Sequence, residues 1–328
     1  MDDRRISAAT VVAVLIAASV WPARHFYSGR VHRWRRGAGA PRRAGRLGLR
    51  VFGQGNPVLV LLPGIAASQA YFGAAYDRLG EVATVVVIDP LGFGSSMDAG
   101  VSTDSFALEE HLAAVTGALR ALDLDGRPLH VAGHSMGASL AIQWAAASEG
   151  DMRTVVAFDA PLFRTRAEAE ERVRHMGWFE ALLSTGSFAH RVCAWMCRHR
   201  SAASVLAVAL NPTMPAAIAR DGVKHTWFSY IQSFEALVAA DTWTGAVAAL
   251  SGRGVPVLLV DGDVDPVQVP GRARALAAEF PSVTALTHRG GHDLPLSSPG
   301  WCNDLLYRQI ATASTHWSVS PINDRNER

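Results

Sequence analysis

The 328 residues are 49% hydrophobic and 18% charged, which fits a globular body with a large core, arranged as one large α/β domain or two smaller ones. The net charge of +2 divides unevenly: residues 1–50 carry eleven arginines against Asp2 and Asp3, a balance of +9, so the remainder carries 2 − 9 = −7. That split argues against a nucleic-acid-binding body. Three cysteines (Cys193, Cys197, Cys302) without zinc-type spacing argue against a disulfide framework and a metal site. No cofactor is expected.

The first element in chain order is an uncharged run, "ISAATVVAVLIAASVW", residues 6–21. As a helix it would reach about 24 Å at ~1.5 Å per residue, short of the ~30 Å hydrocarbon core of a bilayer. Two readings follow. One is a signal peptide cleaved after small residues such as Ala17-Ala18-Ser19, with the body exported. The favoured one is an uncleaved single anchor. Nine arginines between Arg24 and Arg50 would oppose translocation, keep the body on the cytoplasmic side and attract anionic headgroups. Membrane association through residues 6–21 and the following Arg-rich segment is therefore expected.

From Leu47 onward the pattern becomes regular. "LGLRVFG" alternates as a half-buried strand does. "PVLVLL", "TVVVID", "LHVAG", "VVAF" and "PVLLV" are short apolar runs of the kind a buried parallel sheet requires, and "SVTAL" is the last. Helical stretches lie at 68–79, 105–122, 136–147, 271–280 and 301–312. The alternation predicts a doubly wound, mostly parallel sheet with helices on both faces. It breaks between Pro161 and about Leu250, where the chain is helical and aromatic (Trp178, Phe179, Trp195, Trp227, Phe228, Tyr230). A helical cap over the C-terminal edge of the sheet is expected there. The expected divisions are 1–46 for anchor and linker, 47–160 with 251–314 for the core, 161–250 for the cap, and 315–328 for a polar tail.

One segment carries chemistry. In "VAGHSMGASL", residues 131–140, Ser135 stands between a strand and a helix with Gly133 and Gly137 two residues to either side. Such a turn strains its central residue, and the small neighbours make room for it. The helix N-terminus aims free N–H groups and the positive end of its dipole at the same point. This G-x-S-x-G elbow in its strand–turn–helix setting resembles the α/β-hydrolase fold family, in particular its capped esterase, lipase and C–C hydrolase-like members. The resemblance covers roughly Leu47 to Ile310 and implies an α/β-hydrolase fold with the cap inserted after the sixth strand.

The resemblance also implies the partners of Ser135. The family order is nucleophile, acid, base. It matches Asp265 in "DGDVDP" to the acid and His292 in "GGHDLP" to the base. Asp159 in "AFDAP" is the chief alternative acid, while Asp261 ends its strand and Asp263 is one step out of pattern. His288 is the nearest rival base, and His134 reads as a packing residue. The oxyanion donors implied are the backbone N–H groups of Ile65 and Met136. The family often has His-Gly before the first donor, where this chain has Pro63-Gly64. "DPLGFGSS" reads as a structural loop. A serine at the elbow implies an acyl-enzyme and a carboxylic ester substrate, with an apolar, lipid-like acyl chain suggested by the aromatic cap and the membrane address. Other outcomes on the same fold are C–C hydrolysis, perhydrolysis or acyl transfer, or a catalytically silent binding protein.

Overall fold

The computed structural model describes residues 33–97, 105–176 and 186–312. The apolar run 6–21, the segment 177–185 and the tail from 313 lie outside them. Among the described residues no helix is long and apolar enough to cross a membrane. The expected anchor, and the membrane address built on it, are corrected accordingly: the run at 6–21 is itself shorter than a bilayer core requires.

Eight strands form one sheet in the order β1-β2-β4-β3-β5-β6-β7-β8. They are β1 Pro41–Ala44, β2 Leu47–Phe52, β3 Val58–Leu62, β4 Thr84–Ile88, β5 Leu129–His134, β6 Met152–Phe158, β7 Val257–Gly262 and β8 Val283–His288. β1 pairs with β2, and β2 with β4, in antiparallel fashion; all other pairs are parallel. β3, β4 and β5 are buried along their whole length. Alternate residues feed two apolar cores. Val58, Val60, Val86, Val131 and Leu259 point to one, and Leu59, Leu61, Val85, Ala132 and Leu258 to the other.

Among the described residues the α-helices are α1 Leu108–Arg120, α2 Met136–Ala147, α3 Arg166–Met176, α4 Gly186–Arg198, α5 Arg200–Leu210, α6 Ala216–Asp221, α7 Trp227–Phe234, α8 Trp243–Gly252, α9 Arg272–Glu279, α10 Leu294–Ser297 and α11 Pro299–Thr312. α7 runs on into a π-helical turn, Glu235–Ala239. α3 to α8 follow one another between β6 and β7 without a described strand. α8 and the π-turn pack on α2. The stretch is also tied to loops at the C-terminal end of the parallel strands. Ser68 Oγ donates to Asp221 at 2.6 Å, and Gly94 N donates to the Lys224 carbonyl at 2.9 Å.

Three local expectations change. The linker residues Pro41–Ala44 form an edge strand, short and largely exposed, which is why no apolar pattern marks it. The helix expected over 68–79 is two 3₁₀ turns, Gln69–Tyr71 and Ala74–Glu81, interrupted at Gly73. Arg50, in the strand whose alternation suggests one exposed face, is buried. Its guanidinium donates to the Ala38 and Phe72 carbonyls and lies over the Phe52 ring at 5.0 Å. Burial pushes its pKa down to about 10.

Candidate active site

β5 ends at His134 and α2 begins at Met136, so a single residue, Ser135, makes the whole turn. Its backbone lies at φ 54° and ψ −124°, a region that costs a non-glycine residue about 1–3 kcal/mol. The turn is held open by hydrogen bonds. Ser135 N donates to the Phe158 carbonyl at 2.9 Å, and Ala138 N donates to the Ser135 carbonyl at 2.8 Å. Space for it comes from glycine. A Cβ on Gly137 would collide with the Leu62 and Pro63 carbonyls of the neighbouring β3 end.

Two later loops meet this serine. Asp265 follows β7, and its side chain is fully buried. One carboxylate oxygen accepts the Val267 N–H at 2.8 Å, and the other faces His292 Nδ1 at 3.0 Å. His292 follows β8 and retains 18% side-chain exposure. Its Nε2 lies 2.9 Å from Ser135 Oγ. An ionised carboxylate can only accept, so Nδ1 carries the ring hydrogen and Nε2 is left as acceptor for the serine hydroxyl. Burial alone would push the His292 pKa down. The hydrogen bond and charge of Asp265, with Asp159 and Asp293 beyond, outweigh it and hold the pKa above the ordinary histidine value.

The loop after β3 closes the other side. A Cβ on Gly64 would meet His134 Nδ1 at 3.2 Å and Ser135 Cβ at 3.3 Å, so this backbone runs directly against the elbow. Among the described residues, neither the Ile65 nor the Met136 N–H is paired with a backbone carbonyl. The loop turns sharply afterwards, with Ala66 at φ 53°.

The remaining candidates fall elsewhere. Asp159 is buried at the end of β6 with φ 50°, and its carboxylate accepts the N–H groups of Gly262 and Leu294, each at 3.0 Å. Burial first, then the nearby Asp265 charge, pushes its pKa up to about 7. Asp261 is buried at the end of β7, which raises its pKa to about 6. Asp263 accepts the Gly290 N–H at 2.9 Å. His288 stacks on Trp301 with ring centroids 4.1 Å apart.

His134 does more than pack. Its ring stacks on Tyr71, with centroids 4.8 Å apart, and its Nε2 donates to the His292 carbonyl. Burial, helped by the neighbouring His292, pushes its pKa down to about 3, so it is neutral near pH 7. "DPLGFGSS" carries a buried node. Asp89 accepts the Gln69 and Ser95 N–H groups and the Ser95 hydroxyl, joining the loop after β4 to the turn after β3. A charged residue at a strand end, followed by glycines and serines, was the available signal for it.

The sequence profile of the alpha/beta hydrolase family matches residues 59–305. The chain belongs to the α/β-hydrolase family. Among curated proteins it is similar to the N-formylmaleamate deformylase of Pseudomonas putida, with 35% identity over 117 residues. That match covers 35% of this chain and spans only about two-fifths (41%) of the relative. Solved structures show the same fold. One is E-2-(acetamidomethylene)succinate hydrolase, with TM-score 0.61, 19% identity, and 84% of this chain against 100% of that one. Another is a thermophilic esterase from Thermogutta terrifontis, with TM-score 0.56, 20% identity, and coverages of 82% and 95%. A membrane phospholipase A aligns over 94% of this chain and 96% of its own, with TM-score 0.60 and 16% identity.

Proposed function

We propose that this α/β-fold hydrolase cleaves a carboxylic ester through an acyl-enzyme on Ser135, with His292 as base and Asp265 as its orienting acid. The observation that carries the reading is the unbroken path from Ser135 Oγ to His292 Nε2 at 2.9 Å and from His292 Nδ1 to Asp265 at 3.0 Å. As Oγ attacks the ester carbonyl carbon, its proton passes to His292 Nε2. The negative charge moves to the carbonyl oxygen, where the Ile65 and Met136 N–H groups are the donors. When the tetrahedral intermediate collapses, His292 returns the proton to the departing alkoxide, which leaves as an alcohol. Water then attacks the acyl-serine and gives its proton to His292. The acid departs and Ser135 regains its hydrogen. Asp265 holds the ring in the tautomer this cycle needs and stabilises the imidazolium. The aromatic residues between β6 and β7 favour an apolar acyl group.

A second reading is cleavage of a C–N bond in a small acyl amide, favoured by the 35% identity to a deformylase. The same three residues would serve both. p-Nitrophenyl esters of graded acyl length, run beside N-formylmaleamate, separate the two. Ser135→Ala should lower turnover by about 10³-fold or more. Turnover unaffected by Ser135→Ala on every substrate would overturn both readings.

A further inference from the structure

We infer that Asp159 is a positioning residue for the Ser135–His292–Asp265 set, its carboxylate locking the loop that carries the acid to the loop that carries the base. The inference rests on the reading of those three residues given above. Gly262 N and Leu294 N lie at the roots of the two loops, and each donates to a different oxygen of Asp159 at 3.0 Å. Gly262 is three residues before Asp265, and Leu294 two after His292. One rigid group therefore fixes the distance between them. A Cβ on Gly262 would collide with the Gly290 and Gly291 carbonyls, so the two loops already run in backbone contact at this point.

The clamp is costly, which argues that it serves the site. A carboxylate 1% exposed, in a backbone with φ 50°, has both burial and strain against it. An asparagine would tolerate the φ but offers one acceptor oxygen, and its NH₂ would face the second N–H. His134 supplies a second hold on the same loop through the His292 carbonyl. Its Nε2 lies 3.7 Å from the Asp159 oxygen that also accepts Leu294 N. The charged and titratable groups that face Asp159 are His292, Asp265 and His134, with the buried Cys302 thiol near enough to feel its charge. A negative Asp159 favours the imidazolium of His292.

The test uses the full chain in wild-type, Asp159→Asn and His134→Phe forms. Two readouts are taken: the rate of fluorophosphonate labelling of Ser135 against pH, and the deshielded ring N–H proton of His292 by NMR. Asp159→Asn should label about 10- to 100-fold more slowly. Its acid limb should move to lower pH, because a charge that favoured the imidazolium is gone, and the His292 resonance should broaden or move upfield. His134→Phe keeps a ring against Tyr71 and should label more slowly with the limb unmoved. An aspartate acting through its charge alone would move the limb but leave the labelling rate at the pH plateau and the resonance where they are, so those two report the positioning. If wild type labels and both Asp159→Asn readouts match it, the inference is overturned while the hydrolase reading stands. If wild type does not label, the hydrolase reading fails, and the resonance alone decides the positioning role. If Asp159→Asn does not fold, the labelling and resonance of His134→Phe decide. Failure of both variants to fold would assign these residues to stability and overturn the inference.

Discussion

Gly133 and Gly137 stand so close across the elbow that a Cβ on Gly133 would fall well inside 3.0 Å of the Gly137 carbonyl oxygen. Both partners of that clash are backbone or backbone-bound, so no rotamer change relieves it. Gly133→Ala is expected to destabilise the fold by about 1–3 kcal/mol or more, as overpacking of a close-packed core does. Urea unfolding checks this, and a midpoint equal to that of wild type would contradict it.

On the proposed mechanism, the pH dependence of the reaction follows from His292. It must be neutral to accept the serine proton, and its pKa is held above the ordinary histidine value. The acid limb of kcat/KM should therefore lie above pH 6.5. Asp265→Asn removes the hydrogen bond and charge that raise it, so the limb should move down. The rate at neutral pH should drop by about 10²–10⁴-fold, because the ring loses its enforced tautomer. A pH–rate profile of the two proteins decides; an unchanged limb in the variant would assign the base to another residue.

Stability should fall on acidification. Burial pushes His111, His130 and His225 down to about 4 and His134 to about 3, so each is neutral in the folded protein between about pH 4 and 6.5 and protonated when unfolded. In that window the unfolded state binds four more protons on these groups, and stability rises with pH. Asp89, Asp159 and Asp261 act in the opposite direction, since burial raises their folded pKa above the unfolded value. Near pH 5, four against three leaves about one proton in favour of the histidines, an expected slope of about 1.4 kcal/mol per pH unit. Urea midpoints at pH 4.5, 5.5 and 6.5 measure it, and a flat or inverted trend would refute the assignment.

Trp243 joins the end of the helical stretch to the segment that leaves β6 and to α9. It is 1% exposed, donates its indole N–H to the Phe163 carbonyl at 2.7 Å, and lies under the Arg272 guanidinium at 5.9 Å. Trp243→Phe leaves that carbonyl unpaired in a buried place and should destabilise by about 1–3 kcal/mol. Thermal melts with wild-type-like circular dichroism would read it.

What the chain makes legible is what it encodes locally. The parallel strands β3 to β8 announce themselves as apolar runs, and the turn at Ser135 is signalled by glycines two residues away on each side. Asp265 and His292, 27 residues from one another, could be matched to Ser135 only through a family resemblance, because no local pattern links them. Arg50 was unreadable for a related reason. The carbonyls that accept it are at positions 38 and 72, and a lone arginine in a strand carries no mark of them. The Asp159 bonds to Gly262 and Leu294 span 103 and 135 residues, and both acceptors of that carboxylate bind main chain, which has no sequence signature. The apolar run at 6–21 misled for the opposite reason: composition suggested a destination where length did not allow one.

The order of these parts along the polypeptide sets when reactivity can first arise. Ser135 emerges 157 positions before His292, and β8 must join the sheet edge before the imidazole can approach. On the proposed mechanism, a nascent or prematurely ended chain thus exposes only an ordinary alcohol, and Ser135 becomes a nucleophile only once synthesis has passed the final strand.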